Sequence, residues 1–332
     1  MEPMTKNETT VVIALGGNAI LQPGQVGTFE EQLVNVDDTC RRIARMVVDG
    51  YRVVVTHGNG PQVGNILIQN ETAAKLVAPM PMDVCGAESQ GQIGYMLEQC
   101  LSNHLRRLRA ANPVVTLLTE TIVDLNDPSF SRPSKPVGPF YSEGKAKEMA
   151  LEKGFAMRED AGRGWRRVVP SPEPVGIVQL ETIAQLVHGG ALVICGGGGG
   201  IPVHRARDGA LHGVEAVIDK DLAASRLALD LGADILMILT DVSKIYLSYR
   251  TPEQRALDRG TWMEMAAYAE AGHFKAGSMG PKVDAAIRFA RAGGTAIIAE
   301  LLDALPALKG EAGTWITPTQ RRGRRGERAA GR

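Results

Sequence analysis

Val11-Val12-Ile13-Ala14-Leu15-Gly16-Gly17-Asn18-Ala19-Ile20 is a short apolar run that stops abruptly in two glycines and an asparagine, then turns helix-like. It has an echo at Val53-Val54-Val55-Thr56-His57-Gly58-Asn59-Gly60-Pro61-Gln62-Val63-Gly64. A buried strand feeding a glycine turn and a helix N-terminus leaves backbone N–H groups without intrahelical partners, and such groups bind anions. Two such units early in one chain predict a phosphate-like ligand held from two sides.

Apolar, β-rich runs recur beyond these at residues 113–118, 191–195, 235–239 and 295–299. Between the runs lie segments of helical spacing, for example 34–48, 90–108, 222–231 and 283–292. Runs that do not alternate belong to strands covered on both faces, so the fold class is α/β, with a largely parallel sheet wound by helices. Ligands of such sheets sit beyond the carboxyl ends of the strands. The polar and glycine-rich residues follow the strands, at 16–18, 57–60, 196–200 and 240–241, which places them on the binding edge.

One stretch breaks the rhythm. Residues 124–174 carry seven prolines and many charges, with little room for a core strand. Loops this long are solvated excursions or inserted lids. Lys135-Pro136-Val137-Gly138-Pro139-Phe140 and Gly162-Arg163-Gly164-Trp165-Arg166-Arg167 lie within it, and the two anion-binding turns favour a lid that brings basic residues onto an anionic ligand.

The chain has 332 residues, 44% of them apolar, enough to bury one large α/β core or two lobes. Formal net charge is zero, which does not point to nucleic acid. The balance hides an asymmetry. Residues 319–332 hold six arginines and one acid, Glu327, so the rest of the chain has 31 basic against 36 acidic residues. A Gly/Arg/Ala tail without apolar periodicity is expected to be a disordered basic appendage. The four cysteines show no CxxC or metal-ligand spacing, and no metal-binding residues are predicted. No apolar stretch approaches a membrane span and residues 1–7 lack a signal-peptide core, so the expected location is cytoplasmic.

No Walker A pattern is present, and Gly196 to Gly200 is not a dinucleotide fingerprint, because GxGxxG would need glycine at Ile201. Five consecutive glycines carry a backbone-entropy cost that close approach of the main chain to a ligand would explain; a tight crossover is the alternative. Lys220, in Ile218-Asp219-Lys220-Asp221, and Lys282, after Pro281, both fall at predicted helix N-termini, where the macrodipole disfavours a cation. Each fits a surface lysine beside an acid. An anion shared by lysine and helix terminus would instead make the placement favourable, with Asp219 and Asp221 orienting Lys220. Glycine turns, lysines and no obvious His or Ser nucleophile match phosphoryl transfer, which needs positioning and charge neutralisation.

The segments 14–20, 56–65, 82–95, 135–141, 162–174, 195–203, 213–223 and 272–283 are collinear and together resemble the carbamate kinases of the amino-acid kinase superfamily. The resemblance implies reversible phosphoryl transfer between carbamoyl phosphate and ADP, giving ATP and carbamate, in a homodimer. It implies an open αβα sandwich around a mainly parallel twisted sheet, with a carbamoyl-phosphate-binding lobe at 1–212 that carries the mobile lid at about 124–174, and a nucleotide-binding lobe at 213–318. Carried over by motif, Gly16, Gly17, Asn18, Gly58, Asn59, Gly197 and Gly198 bind the substrate. Lys220 and Lys282 neutralise the transferring phosphoryl charge, Asp221 organises them, and Lys135 reaches in from the lid. Asp241, Tyr246, Gly277, Ser278 and Met279 line the ATP/ADP pocket, and Mg²⁺ travels with the nucleotide phosphates. Carbamate is already an anion, so no general base is required. Lys275 stands where the family pattern has a small residue. Competing readings are another small-carboxylate kinase of the superfamily, a non-catalytic nucleotide-binding regulator, and a chain whose functional element is the arginine tail.

Overall fold

The computed structural model describes residues 9–160, 162–275 and 279–318. The expectations for the basic tail at 319–332, and for Gly277 and Ser278, lie outside the described residues.

The central sheet has eight strands: β1 (Thr10–Leu15), β2 (Arg52–His57), β3 (Val114–Thr116), β4 (Leu192–Ile194), β5 (Ile235–Thr240), β6 (Arg259–Thr261), β7 (Thr295–Glu300) and β8 (Thr314–Thr317). Their order is β6-β8-β7-β5-β1-β2-β4-β3. The six strands expected from apolar runs are mutually parallel. β8 runs antiparallel to β7, with β6 parallel to β8 at the edge. The sequence reading missed β6 and β8, because three or four residues of mixed polarity carry no periodic signal. Tertiary contacts hold them instead. The buried Thr314 hydroxyl accepts the Ile245 N–H at 2.8 Å and donates to the Leu257 carbonyl.

Nine helices occur among the described residues: α1 (Phe29–Val48), α2 (Gly60–Ala73), α3 (Met82–Arg107), α4 (Glu143–Lys153), α5 (Leu180–His188), α6 (Lys220–Asp230), α7 (Trp262–Glu270), α8 (Met279–Arg291) and α9 (Ala304–Leu308). The two-residue period of β1 divides the core. Val11, Ile13 and Leu15 face α1, α3 and α9, while Val12 and Ala14 face α5, α6 and α8. All five are fully buried, and large side chains so placed contribute about 1.5–3 kcal/mol each to holding helices on the sheet. α1 starts at a capping box, with Thr28 and Glu31 satisfying each other's backbone N–H groups.

Leu15 stands opposite both His57 and Leu239. β1 and β2 therefore end level and β5 runs one residue further, so Gly16, Gly58 and Asp241 leave the sheet at one edge. No helix of the described residues is long and apolar enough to cross a membrane.

The segment 124–174 adds no strand to the central sheet. It builds a separate antiparallel sheet, ordered 135–141, 165–169, 157–159, with α4 beside it. Its apolar core is thin (Val137, Ala146, Met149, Val168 and Val169 are buried), and guanidinium–ring contacts supplement it. Arg163 and Arg166 each lie 5.1 Å from the Phe140 ring centre, and Arg167 lies 3.7 Å from that of Phe155.

Candidate active site

Asp219 ends an extended segment and caps α6, its side chain accepting the N–H groups of Asp221 and Leu222. Lys220 is thus the first helical residue, as its sequence context predicts. Asp221 follows, buried beneath it with 4% of its side chain exposed. Its Oδ1 accepts from Lys220 Nζ at 2.5 Å and its Oδ2 from Lys282 Nζ at 3.1 Å, across 61 residues of sequence. One carboxylate holds two ammonium groups whose side chains are only 16% and 17% exposed.

Burial works to raise the Asp221 carboxyl, but the two lysines together hold it below the ordinary carboxylate value. Burial is also the largest influence on Lys220. With Lys282 close by, it brings the ammonium below the ordinary lysine value despite the opposing pull of Asp221. An anion arriving beside the lysines stabilises their ammonium groups, replacing the solvation that burial takes from Lys220.

The two glycine–asparagine turns come together at these lysines. A Cβ on Gly58 would meet Lys220 Cδ at 3.3 Å, so the lysine stem crosses the second turn where a side chain would block it. Nothing lies within 4 Å of a Cβ built on Gly17 or Gly60. Asn59 precedes α2 without capping it, and its amide instead donates to Ser89 Oγ at 2.8 Å. The first turn of α2 therefore keeps its N–H groups free of a side-chain cap. That is the anion-binding geometry expected of it.

Three adjoining cavities share these groups. The first, about 650 Å³, is lined by Gly17, Gly58, Asn59, Lys135, Gly198, Lys220 and Lys282 among others. The second, about 580 Å³, includes Gly16, Gly17, Asn18, Asp241 and both lysines. The third, about 560 Å³, includes Asp241, Tyr246, Lys275, Met279 and Lys282. Lys282 borders all three, so the predicted substrate and nucleotide residues meet along one trough with the lysines at its middle.

Some placements differ from the simplest reading of the sequence. Gly197 is buried behind the cavity wall, where a Cβ would come within 2.4 Å of His57 Nε2. Gly198 is on the wall, at φ +67°, with Asn59 Nδ2 only 2.2 Å from where its Cβ would be. The glycine run is required by neighbouring protein as well as open to the cavity. Thr56, Gln90, Thr119 and Thr121 hold its peptide groups through hydrogen bonds of 2.9–3.0 Å. Sequence reasoning did not pick out these four, or Ser89. The signal available was a polar pair, Ser89 and Gln90, on the buried face of α3.

His57 is 1% exposed, and burial brings its ring down to about 4 against the opposing hydrogen bond to Gly58. The neutral ring donates through Nδ1 to the Gly58 carbonyl at 3.0 Å. Asp219 was expected to help orient Lys220 and keep it charged. Its charge does favour the Lys220 ammonium, but its free oxygen hydrogen-bonds Lys135 Nζ at 3.0 Å rather than Lys220.

An α/β sheet with lysines and glycine turns gathered at its carboxyl edge defines a phosphoryl-transfer class of protein, and the Amino acid kinase family model matches residues 9–300. The chain is 56% identical to the carbamate kinases of Pyrococcus horikoshii and Pyrococcus furiosus, over 93% of its length and 99% of theirs. It superposes with a TM-score of 0.90 on the Giardia lamblia carbamate kinase bound to AMP-PNP, at 49% identity, covering 94% of this chain and 99% of the other. The chain belongs to the amino acid kinase family and, within it, to the carbamate kinases.

Proposed function

We propose that this chain moves a phosphoryl group between carbamoyl phosphate and ADP, with ATP and carbamate as the other pair. The observation that carries the reading is the buried Asp221 holding Lys220 and Lys282 together where the three cavities meet. Phosphoryl transfer spreads charge over oxygens that positioned cations stabilise, and a desolvated pair of ammonium groups does so without rearranging.

In this reading the lobe at 1–212 takes carbamoyl phosphate. The turns at Gly16, Gly17 and Asn18 and at Gly58 and Asn59 supply N–H groups, Gly197 and Gly198 support the wall, and Lys135 comes from a lid at about 124–174. The lobe at 213–318 takes the nucleotide against Asp241, Tyr246 and Met279, and a relative is known bound to AMP-PNP. No general base is needed. Carbamate attacks as an anion, His57 is neutral with Nδ1 engaged by Gly58, and both Asp219 and Asp221 are occupied by lysines.

Mg²⁺ would enter with the nucleotide phosphates and neutralise their charge. Such an ion keeps mostly phosphate and water ligands and asks for few protein groups. Asp241, exposed at the end of β5 and bordering two cavities, is the carboxylate placed to meet it.

The test is a coupled assay of ATP formation from ADP and carbamoyl phosphate with Mg²⁺. Turnover is expected, and kcat/KM should fall on the alkaline side with a midpoint below 10.5, because burial lowers Lys220. Absence of turnover with carbamoyl phosphate, alongside turnover with another acyl phosphate, sinks the reading.

A further inference from the structure

The five residues ahead of Lys220 are one place where the inserted segment grips the rest of the chain, besides Glu71 of α2 and Arg288 of α8. Arg167 donates to Glu215 at 2.5 Å. The Val217 N–H donates to the Pro170 carbonyl at 3.0 Å, and the Val217 side chain packs with Met82, Val137 and Val169. Asp219 completes the series by dividing its carboxylate. Oδ1 accepts the N–H groups of Asp221 at 2.9 Å and Leu222 at 3.4 Å, while Oδ2 accepts from Lys135 Nζ at 3.0 Å. One side chain thereby fixes the first turn of the helix that begins with Lys220 and also the strand that carries Lys135. Both lysines line the same cavity.

We propose that Asp219 is a positioning residue that holds Lys135 over the phosphoryl-transfer cavity, in register with Lys220, and so sets the affinity for carbamoyl phosphate. The proposal rests on the assignment of that cavity to carbamoyl phosphate. An ammonium has three donors, and Asp219 occupies one in a fixed direction, leaving two for an anionic ligand. Without this partner a four-carbon side chain regains its rotamer freedom, which binding must then remove. Simple charge counting predicts the reverse. Three lysines, two arginines and two aspartates line the cavity, and deleting one negative charge there would by itself strengthen attraction for an anion. The sign of the effect therefore separates positioning from bulk electrostatics.

Asp219→Asn in the full chain isolates the contact, since the amide oxygen still caps α6 while the charge that holds Lys135 is gone. Expected are a melting temperature within about 2 °C of wild type and a KM for carbamoyl phosphate raised about tenfold, the scale of one charge-assisted hydrogen bond. KM for ADP should move by less than about twofold, since Asp219 borders the carbamoyl phosphate cavity. Lys135→Ala should show the same selective rise, and the double variant should be no worse than Lys135→Ala alone. A KM for carbamoyl phosphate that is unchanged or lower in Asp219→Asn, or penalties that add in the double variant, overturns the proposal. Should Asp219→Asn not fold, Asp219→Ser retains a capping oxygen and reads the same comparison. Wild-type turnover in the same assay separates the two failures. Turnover with an indifferent Asp219→Asn removes only the positioning role, whereas no wild-type turnover removes the cavity assignment and the role with it.

Discussion

Lys220–Asp221–Lys282 and Lys135–Asp219 are built from the same groups at similar distances, yet they occupy different physical worlds. The first set is rooted in α6 and α8, which pack through Ala224, Leu227, Ala286 and Phe289 into the core under the sheet, and its carboxylate is 4% exposed. The second joins Lys135, 35% accessible and carried by a small sheet with a thin apolar core, to Asp219 at the start of α6. In the buried set, charges are held by packing and cannot readily be re-solvated, so each depends on its partner. In the inserted segment, water competes for every contact and several weak ones share the load. The comparison teaches where rigidity resides: the lysines assigned to charge stabilisation are fixed before ligand arrives, and the segment assigned to closure is held by interactions of modest strength.

The sharpest way to break this contrast is Asp221→Ala. It leaves two buried ammonium groups without their shared carboxylate, and stability in urea should fall by about 3–5 kcal/mol. A loss under about 1 kcal/mol would place Asp221 with the surface pairs instead. Lys282→Ala comes next. It removes one charge from the junction of the cavities, and kcat should drop about 10²–10³-fold, or about 2.7–4 kcal/mol of transition-state stabilisation. Activity within a few-fold of wild type would take Lys282 out of the chemistry.

His57 tests the buried region by pH. Its ring titrates near 6.5 when unfolded and about 4 when folded, so the unfolded chain binds more protons between those values. Folding stability should be complete above 6.5 and fall as pH drops toward 4, by about 3 kcal/mol from this group alone. His57→Asn should lack that part of the slope, and parallel curves for the two proteins would contradict the burial argument. The smallest effect belongs to the base of the inserted segment. Arg288 pairs there with Glu173 at 2.5 Å, with side chains 41% and 53% exposed. Arg288→Ala should cost no more than about 1 kcal/mol, and a larger loss would mean that α8 depends on the inserted segment for its position.

Much of this was legible because burial on both faces of a parallel strand writes itself as an uninterrupted apolar run. Val11 to Leu15, Val53 to Val55 and Ile235 to Leu239 disclosed their strands, and the glycines after them disclosed the binding edge. Lys220 and Lys282 stood out as cations where a helix disfavours them. β6 and β8 were illegible, since Thr314 is buried through hydrogen bonds to residues far away in sequence. The same holds for Ser89 and Gln90, whose partners Asn59 and Gly197 come from other elements.

By itself the sequence determined the six parallel strands and the edge on which the glycine turns sit, because these follow from local polarity and spacing, while the roles of the lysines came with the family resemblance. Only the tertiary structure decided how the charges are shared. Asp219 and Asp221 are two residues apart and look equivalent on paper. The first turn of α6 points one carboxylate down between Lys220 and Lys282, and commits the other to a helix cap and to Lys135. A hydrogen bond depends on direction, and direction is set only when helix, sheet and inserted segment have packed together.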